Sequence, residues 1–487
     1  MSGRFVGWEI YPRNLSFSAL DTDTTRCQEE LSKDAQRLFI PDEEESELQI
    51  LQADMTAQEG TPKLLTIKSS QQLLSRLEGP ANTVFLQIPQ EHSWSQLLIT
   101  EELFRQLLTV LNVHPGFLDV VHVFGEKITS FEESFTAYFT RLSSEPSNSG
   151  CCGFEVTYNV KYVARHKRSS PLKDPYSIRE TGVYHKLQTD PAKCTWILLN
   201  PSENLSKRLT VAFVDPETSE PLGQFRWHAL ILLCLSEGWR DYVNHLEETF
   251  SNLMDRGFSS NLQQSVRDGA ITVDFSDIRS LQILTDKLKR LLHLLKLNRN
   301  LSKHLQAFFD HVKSLSSPQI ARSFRQYEIM MSIYDFKSET HISQLDSVIS
   351  RAQGVASLIE HILDFRTAET NYKINSAMHD ISKRGVEENS LVRELTSQCT
   401  QDTRAMRTVA LISAIFLPAT FLATFFGSNF FGFERTEDGH NMTVASNIWI
   451  YVVTTLAASA ITVAVWYWGC SRSRSTSNKM NDVKSMA

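Results

Sequence analysis

VALISAIFLPATFLATFF, residues 409–426, and IWIYVVTTLAASAITVAVWYW, residues 448–468, decide the fold of this 487-residue chain. Neither stretch contains a charged residue, and each is long enough to cross a hydrocarbon layer about 30 Å thick. The alternative is a pair of buried core helices in a soluble protein, but uncharged runs of this length are typical of membrane spans. The sequence therefore predicts an integral, multi-pass membrane protein whose bilayer-spanning part is a two-helix hairpin.

The residues that flank the two spans predict the orientation of the hairpin. Basic residues precede the first span and follow the second, whereas the connecting loop, 427–447, contains only Arg435. Cytosolic flanks are enriched in Lys and Arg, so we expect the N- and C-termini, including a basic tail at 469–487, to lie in the cytosol. Aromatic residues stand at both ends of the spans, as an interfacial belt requires: Phe425, Phe426, Phe430, Phe431, Trp449, Trp466, Tyr467 and Trp468.

Composition restricts the function of the rest of the chain. The mean hydropathy of -0.23 is ordinary for a soluble protein, so the membrane part is a small fraction of the length. A net charge of -7 argues against a nucleic-acid partner, because phosphate binding needs a concentrated basic face. The seven cysteines show no metal-ligand spacing. With no phosphate-binding glycine loop, HExxH motif or nucleophile elbow in the sequence, we expect neither an enzyme nor a bound cofactor.

Residues 1–240 are predicted to form a cytosolic α/β domain. Residues Phe154 to Val163 alternate between apolar and polar, which predicts a half-buried strand. Two compact apolar runs, 195–199 and 209–213, have strand length, and 101–111 has helical spacing.

Residues 241–408 are predicted to form a helical stalk. Apolar residues recur there at alternating steps of three and four, with Asn298 and Ser302 at two positions of the first seam. The first seam contains Leu281, Leu284, Leu288, Leu291, Leu295, Leu305, Phe309 and Val312, and the second contains Ile342, Leu345, Ile349, Ala352, Ala356, Ile359 and Leu363. No proline lies between Pro318 and Pro418, which favours one helix from about Ile342 to Phe426. Up to Thr408, a soluble helical bundle or coiled coil has the same pattern.

The first span contains three hydroxyl residues on one helical face. Ser413, Thr420 and Thr424 are separated by seven and four residues, and this face continues through Leu417, Met406 and Thr403 in one direction and to Ser428 in the other. Such hydroxyls bond to their own backbone or join neighbouring helices. The same stripe also fits the wall of a pore.

Several motifs together resemble one family. They are FLPATF at 416–421, FFGSNFF at 425–431, DTRAMR at 402–407, GWRDY at 238–242 and LEE at 246–248. In these residues the chain is similar to CorA-type magnesium channels, and specifically to their fungal relatives. The similarity is strong over 395–470, moderate over 225–395 and weak before that. In the family a Gly-Met-Asn motif ends the pore helix, and here Ser428 stands where the methionine would be.

The resemblance implies a homopentamer in a lipid bilayer, in which the first span of each subunit lines the central axis. It also implies that the transported ion is a divalent cation, with Mg²⁺ as the leading candidate. It implies that Gly427, Ser428 and Asn429 form the selective mouth, where Asn429 contacts the hydrated ion. Acidic loop residues would concentrate cations at the entrance of the pore. Apolar residues on the stripe, with Thr403 at its cytosolic end, would close the pore when water leaves the space between them. The loop residues are Glu434, Glu437 and Asp438, and the apolar gate residues are Leu417 and Met406. A non-conducting CorA-like sensor or scaffold and a membrane-tethered coiled-coil adaptor are the alternatives.

Overall fold

The computed structural model divides the chain into two compact units, Met1–Thr367 and Ala368–Ala487. It describes residues 6–17, 22–53, 62–77, 82–128, 133–146, 152–166, 174–189, 192–215, 220–260, 273–316, 318–426, 431–436, 439–444 and 446–484. The boundaries predicted at residues 240 and 408 fall within helices Arg226–Ser259 and Pro318–Phe426, and as functional divisions they stay predictions.

A seven-stranded mixed sheet forms the centre of the first unit. Its strands are β1 (Leu48–Ala53), β2 (Pro62–Ile67), β3 (Thr83–Ile88), β4 (Tyr138–Pro146), β5 (Cys152–Arg165), β6 (Tyr176–Thr189) and β7 (Ala192–Leu199). Their spatial order is β2-β1-β3-β7-β6-β5-β4. The β3–β7 pair is parallel, and the other pairs are antiparallel.

Helices cover both faces of the sheet, which confirms the predicted α/β class. One face packs against α1 (Thr24–Leu38), α2 (Ser70–Leu77), α3 (Glu101–Val110) and α4 (Leu118–Val121). The other face packs against α5 (Glu203–Val214), α6 (Arg226–Ser259), α7 (Phe275–Ser314) and the start of α8 (Pro318–Phe426). The predicted helix at 101–111 and the predicted strand at 195–199 are present as α3 and β7.

Two local predictions were wrong. The apolar run 209–213 lies in helix α5, because the side chain of Ser202 caps that helix by accepting a hydrogen bond from the Leu205 amide at 3.2 Å. Strand β5 is buried on both faces rather than one. Its polar face contains Lys161, 2% exposed, which reaches the carboxylate of Glu180 at 2.8 Å. The sequence of a strand does not distinguish a lysine that is buried in an ion pair from a lysine that faces water.

The first seam of the stalk is buried, as its spacing predicts, and the second seam is buried except for Ala356 and Leu363, which are partly buried. All eight apolar positions of the first seam pack in the interior of the first unit. Helix α8 begins at Pro318 instead of about Ile342. Its first turns are anchored by the buried residues Phe324, Tyr327, Met331 and Tyr334, three aromatic residues and a methionine at the same three–four spacing that favours a helix. Proline suits the first turn of a helix because its missing N–H would be unpaired there.

Asn298 of α7 fastens that helix to the sheet. Its side-chain oxygen accepts from the Lys161 amide at 3.2 Å, and its side-chain nitrogen donates to the Lys161 carbonyl at 2.6 Å. Strand β4 pairs with β5 only as far as Tyr158. The backbone groups of β5 at Lys161 therefore have no strand partner on that side among the described residues, and the side-chain amide of Asn298 pairs with them instead. The polar seam position seen in the sequence is therefore a strand-edge contact.

A chain of buried polar groups links the sheet to α6. The Tyr158 hydroxyl lies 2.8 Å from Nδ1 of His228, and Nε2 of His228 lies 2.9 Å from Nδ1 of His185. Nε2 of His185 lies 3.5 Å from Sγ of Cys194, whose thiol donates to the Pro221 carbonyl at 3.2 Å. Every proton finds an acceptor when both imidazoles are neutral, each donating through Nε2 and accepting at Nδ1. Burial lowers the pKa of His228 to about 3 and lowers the pKa of His185 as well.

The second unit contains the end of α8, a β-hairpin and helix α9 (Ile448–Lys484). The hairpin consists of β8 (Phe431–Thr436) and β9 (Gly439–Val444). Beside the end of α8, the Tyr451 hydroxyl of α9 donates to the Ala419 carbonyl at 3.4 Å. The two apolar C-terminal helices thus form the hairpin that the sequence predicts.

Candidate pore-lining helix

Two helices of the described chain are long and apolar enough to cross a membrane. The most apolar 18-residue window has a mean hydropathy of 1.7 in α8 and 2.0 in α9, and no residue of either window is buried. Core helices of a soluble protein would be largely buried, so that alternative does not describe these helices. Apolar side chains such as Leu417 (65% exposed) and Leu456 (66% exposed) need lipid or another subunit to cover them.

Two hydroxyl residues of the first span, Thr420 and Thr424, bond to their own helix. Thr420 Oγ1 donates to the carbonyls of Phe416 and Leu417, both at 3.0 Å, and Thr424 Oγ1 donates to the Thr420 carbonyl at 2.7 Å. Thr403 makes the same contact with the Cys399 carbonyl at 2.6 Å. Each hydroxyl proton is therefore used within the helix, while the oxygen keeps lone pairs that can accept another hydrogen bond.

An uninterrupted helix brings six of the predicted pore and gate residues onto one exposed stripe. They are separated by steps of three, four or seven, which keep side chains on one face: Thr403, Met406, Ser413, Leu417, Thr420 and Thr424. Pro418 lies inside the helix next to this stripe. Because proline has no amide hydrogen, one carbonyl of the preceding turn loses its helical partner.

The mouth of the predicted pore is only partly described. Gly427, Ser428, Asn429, Glu437 and Asp438 lie outside the described residues. Glu434 lies in β8, so the connection that the sequence predicts as a loop contains two paired strands. Within the described ranges, no three His, Cys, Asp or Glu residues are grouped to hold a metal ion. The stripe supplies the neutral hydroxyl oxygens of Ser413, Thr420 and Thr424 on an exposed helical face.

Two family models match the chain, and together they extend over the sheet, the stalk and both spans. The model for CorA-like transporters matches residues 5–257, and the model for the CorA-like Mg²⁺ transporter protein matches residues 292–469. The chain belongs to the CorA-like transporters. Members of this family are membrane-embedded oligomers that transport divalent cations, and they are transporters rather than enzymes.

Comparison with individual proteins adds no functional detail. No curated protein matches the chain. The cytoplasmic domain of ZntB from Vibrio parahaemolyticus is 11% identical, with 66% of this chain and 99% of that chain covered and a TM-score of 0.34. The full-length CmaX protein is also 11% identical, with coverages of 86% and 96% and a TM-score of 0.34.

Proposed function

We propose that this chain forms a divalent-cation channel whose first span, residues 409–426, lines the ion path, with Mg²⁺ as the transported ion. One observation carries the proposal: an exposed stripe of hydroxyl residues lies on an unbroken helix in a chain of this family. The stripe contains polar oxygens without charges. That is the chemistry expected of a wall that passes a hydrated cation instead of binding a bare one.

The hydration of Mg²⁺ explains why neutral oxygens suffice. This ion gives up its water reluctantly and usually keeps several waters when it is bound. The oxygens of Thr420 and Thr424 have donated their protons to the helix backbone, so they face the path as acceptors. Waters of the hydration shell point their hydrogens outward and donate to such acceptors. The wall thereby recognises the shell of the ion.

At the outer end, Asn429 supplies a side-chain carbonyl to the same hydration shell, and Gly427 leaves its backbone carbonyl uncovered. Ser428 replaces the bulkier residue of the family motif with another hydroxyl. The acidic residues Glu434, Glu437 and Asp438 raise the local cation concentration at the entrance. Farther in, rings of Leu417 and Met406, 65% and 74% exposed in the single chain, form apolar constrictions that stop conduction when they lose water. Thr403 lies at the cytosolic end of this stripe.

A homopentamer encloses this path, and the basic flanks of the spans place both termini in the cytosol. A single helical hairpin cannot surround a water-filled pore, so the path requires several copies of the first span. Exposed apolar residues of α8, Ile374, Met378 and Ile381, support assembly through this helix. They lie on the same helical face as Thr403 and Met406 of the stripe.

Ion flux in liposomes that contain the purified chain and a Mg²⁺ indicator tests the proposal. We expect the wild type to conduct, Asn429→Ala to abolish flux without loss of assembly, and Ser428→Met to retain or increase flux. Asn447→Ala, which changes the same residue type at an exposed position just before α9, is the matched control and should conduct normally. Flux that survives in Asn429→Ala would refute the role of that residue. Absence of flux in both the wild type and Ser428→Met favours the non-conducting sensor, a reading that Ser428 itself motivates.

A further inference from the structure

A cavity of about 450 Å³ lies between helices α5, α6 and α8 of the first unit. Small-molecule sites in proteins are typically about 300–1,000 Å³ in volume and have mainly apolar walls. Here too the walls are mainly apolar, and they contain Val211, Ala212, Trp227, Leu230 and Met330. The cavity therefore has the size and the lining of a site for a small organic molecule.

The Trp227 indole brings an unused hydrogen-bond donor to the wall of this cavity. Trp227 is 1% exposed, and its ring centroid lies 5.2 Å from that of Trp196 and 5.9 Å from that of Phe85. The Trp196 N–H donates to the side-chain oxygen of Gln224 at 2.9 Å. The Trp227 N–H is also buried, but it makes no hydrogen bond with the residues that the structure describes. Since buried indole N–H groups are usually paired, this donor calls for an acceptor from outside the chain.

Charged side chains also line the cavity, and the cations outnumber the carboxylates. They are Lys207, Arg208, Arg226 and Asp215. Lys207 contacts Glu203 at 2.6 Å, and Arg208 contacts Glu237 at 2.5 Å. Both of these ion pairs are exposed to water, where such a pair contributes little, so both cations can turn toward a ligand. The charge of the cavity favours an anion.

The start of α6 adds to this positive field. α6 begins at Arg226, and its first turn contains no acidic residue. The N-terminal end of a helix carries a partial positive charge, which favours a nearby anion. The backbone amides of the next two residues already donate to backbone carbonyls. Side chains and the helix dipole, rather than these amides, are therefore the groups that would hold an anion there.

We propose that this cavity binds a small amphipathic carboxylate. Its carboxylate group lies between Arg226 and the indole N–H of Trp227, and its apolar body packs on Leu230 and Met330. Arg226, Trp227 and Leu230 are separated by three or four residues across one turn of α6, so they share a face of that helix. A neutral apolar molecule would leave the cations unused, and an inorganic anion would leave the apolar walls uncovered. An amphipathic anion matches both parts of the cavity.

Photoaffinity labelling of the full-length chain in lipid nanodiscs tests the site. The probe is octanoate with a photoreactive diazirine on its alkyl chain, and peptide mass spectrometry maps its adducts. We expect adducts in the cavity segments of α5, α6 and α8, and we expect octanoate to displace them at a several-fold lower concentration than octanol, which has the same chain without the charge.

Two variants of α5 separate filling of the cavity from a change of surface. Val211 lines the cavity and is 69% exposed, so Val211→Trp fills the space without disturbing the core. Val214→Trp is the matched control, because Val214 is 41% exposed on the same helix and lies outside the cavity wall. We expect Val211→Trp to lose the adducts and Val214→Trp to keep them. Trp227→Phe removes the unpaired donor but keeps an aromatic ring, and it should weaken displacement by octanoate several-fold while leaving displacement by octanol unchanged.

Four results would overturn the proposal. Absence of adducts in the cavity segments, or adducts confined to the two spans, would show that the probe only dissolves in lipid. Equal displacement by octanol and octanoate would show that the charge is not recognised. Equal labelling of the two α5 variants would place the bound probe elsewhere, and unchanged displacement by octanoate in Trp227→Phe would remove the indole from the site. None of these readouts needs ion flux, so this proposal and the channel proposal can fail separately.

Discussion

Replacement of Asn298 by leucine tests how the stalk is fastened to the sheet. The change keeps the branched shape of the side chain but removes both hydrogen bonds to Lys161, one from its amide at 3.2 Å and one to its carbonyl at 2.6 Å. Asn298 is 2% exposed, so water cannot replace the lost partners without opening the interface. Two backbone groups of β5 are then left buried and unpaired.

The magnitude follows from those two groups. An unsatisfied buried polar group costs about 1–3 kcal/mol, which gives about 2–6 kcal/mol for the pair. Burial of a leucine side chain returns about 1.5–3 kcal/mol. We therefore expect Asn298→Leu to lower the stability of the first unit by about 2 kcal/mol, which corresponds to a fall in melting temperature of about 3 °C for a body of this size.

Thermal unfolding of the full chain in mild detergent, followed by circular dichroism, measures this fall. Asn300→Leu is the matched control, because Asn300 is exposed on the same helix and undergoes the same change in residue type. Hydrogen exchange provides a local readout, since the Lys161 amide should exchange faster in Asn298→Leu alone. Equal melting temperatures for the two variants, with unchanged protection of β5, would refute the reasoning.

Two further predictions concern pH and assembly. Because the pKa of His228 is about 3 in the folded chain against 6.5 for the free group, and that of His185 is also lowered, the unfolded chain binds more protons below pH 6.5. The contribution of these two histidines to folding stability should be constant above pH 6.5 and fall below it, by about 2 kcal/mol for His228 at pH 5. Denaturant unfolding at pH 7.5 and pH 5 should show a smaller loss of stability in His228→Gln than in the wild type. A pH-independent unfolding midpoint in the wild type would contradict this. Cys399 is exposed, four residues before Thr403 on the α8 stripe, so mild oxidation of the oligomer should crosslink subunits through it, and Cys399→Ser should prevent this. Ser397→Cys in that background lies on another face and should remain uncrosslinked; equal crosslinking at 397 would argue against assembly on this face.

The parts of the fold that the sequence predicted are those determined by local periodicity. Three long segments show their pattern without reference to any distant partner. They are the uncharged runs at 409–426 and 448–468 and the leucine seam that begins at Leu281. Each is present as a helix, with the seam buried and the runs exposed. The six stripe residues of the first span could be placed on one face for the same reason, because a helix without interruption fixes their mutual angles.

The parts that were missed depend on partners distant in sequence. The sequence predicts that the polar face of β5 meets water, but Lys161 is buried and contacts Glu180 and Asn298. Nothing in residues 152–165 reveals those partners. The sequence predicts an acidic loop between the spans, whereas β8 and β9 pair from Phe431 with Val444 to Thr436 with Gly439. Pairing of this kind depends on two segments together, and neither segment alone reveals it.

Burial along α8 explains why one copy of the chain is incomplete. The helix is packed within the first unit as far as Ile362, 5% exposed, whereas farther along Ile374, Met378 and Ile381 are 51%, 63% and 69% exposed. These three residues are separated by four and three positions, so they form an apolar stripe in a segment too rich in charge to enter lipid. Another protein surface must cover them, and since the family is oligomeric, we expect that surface to be the same stripe of neighbouring copies. The stripe leads into Thr403 and Met406, so an assembly that buries it also brings the hydroxyl residues of the first span together around the axis.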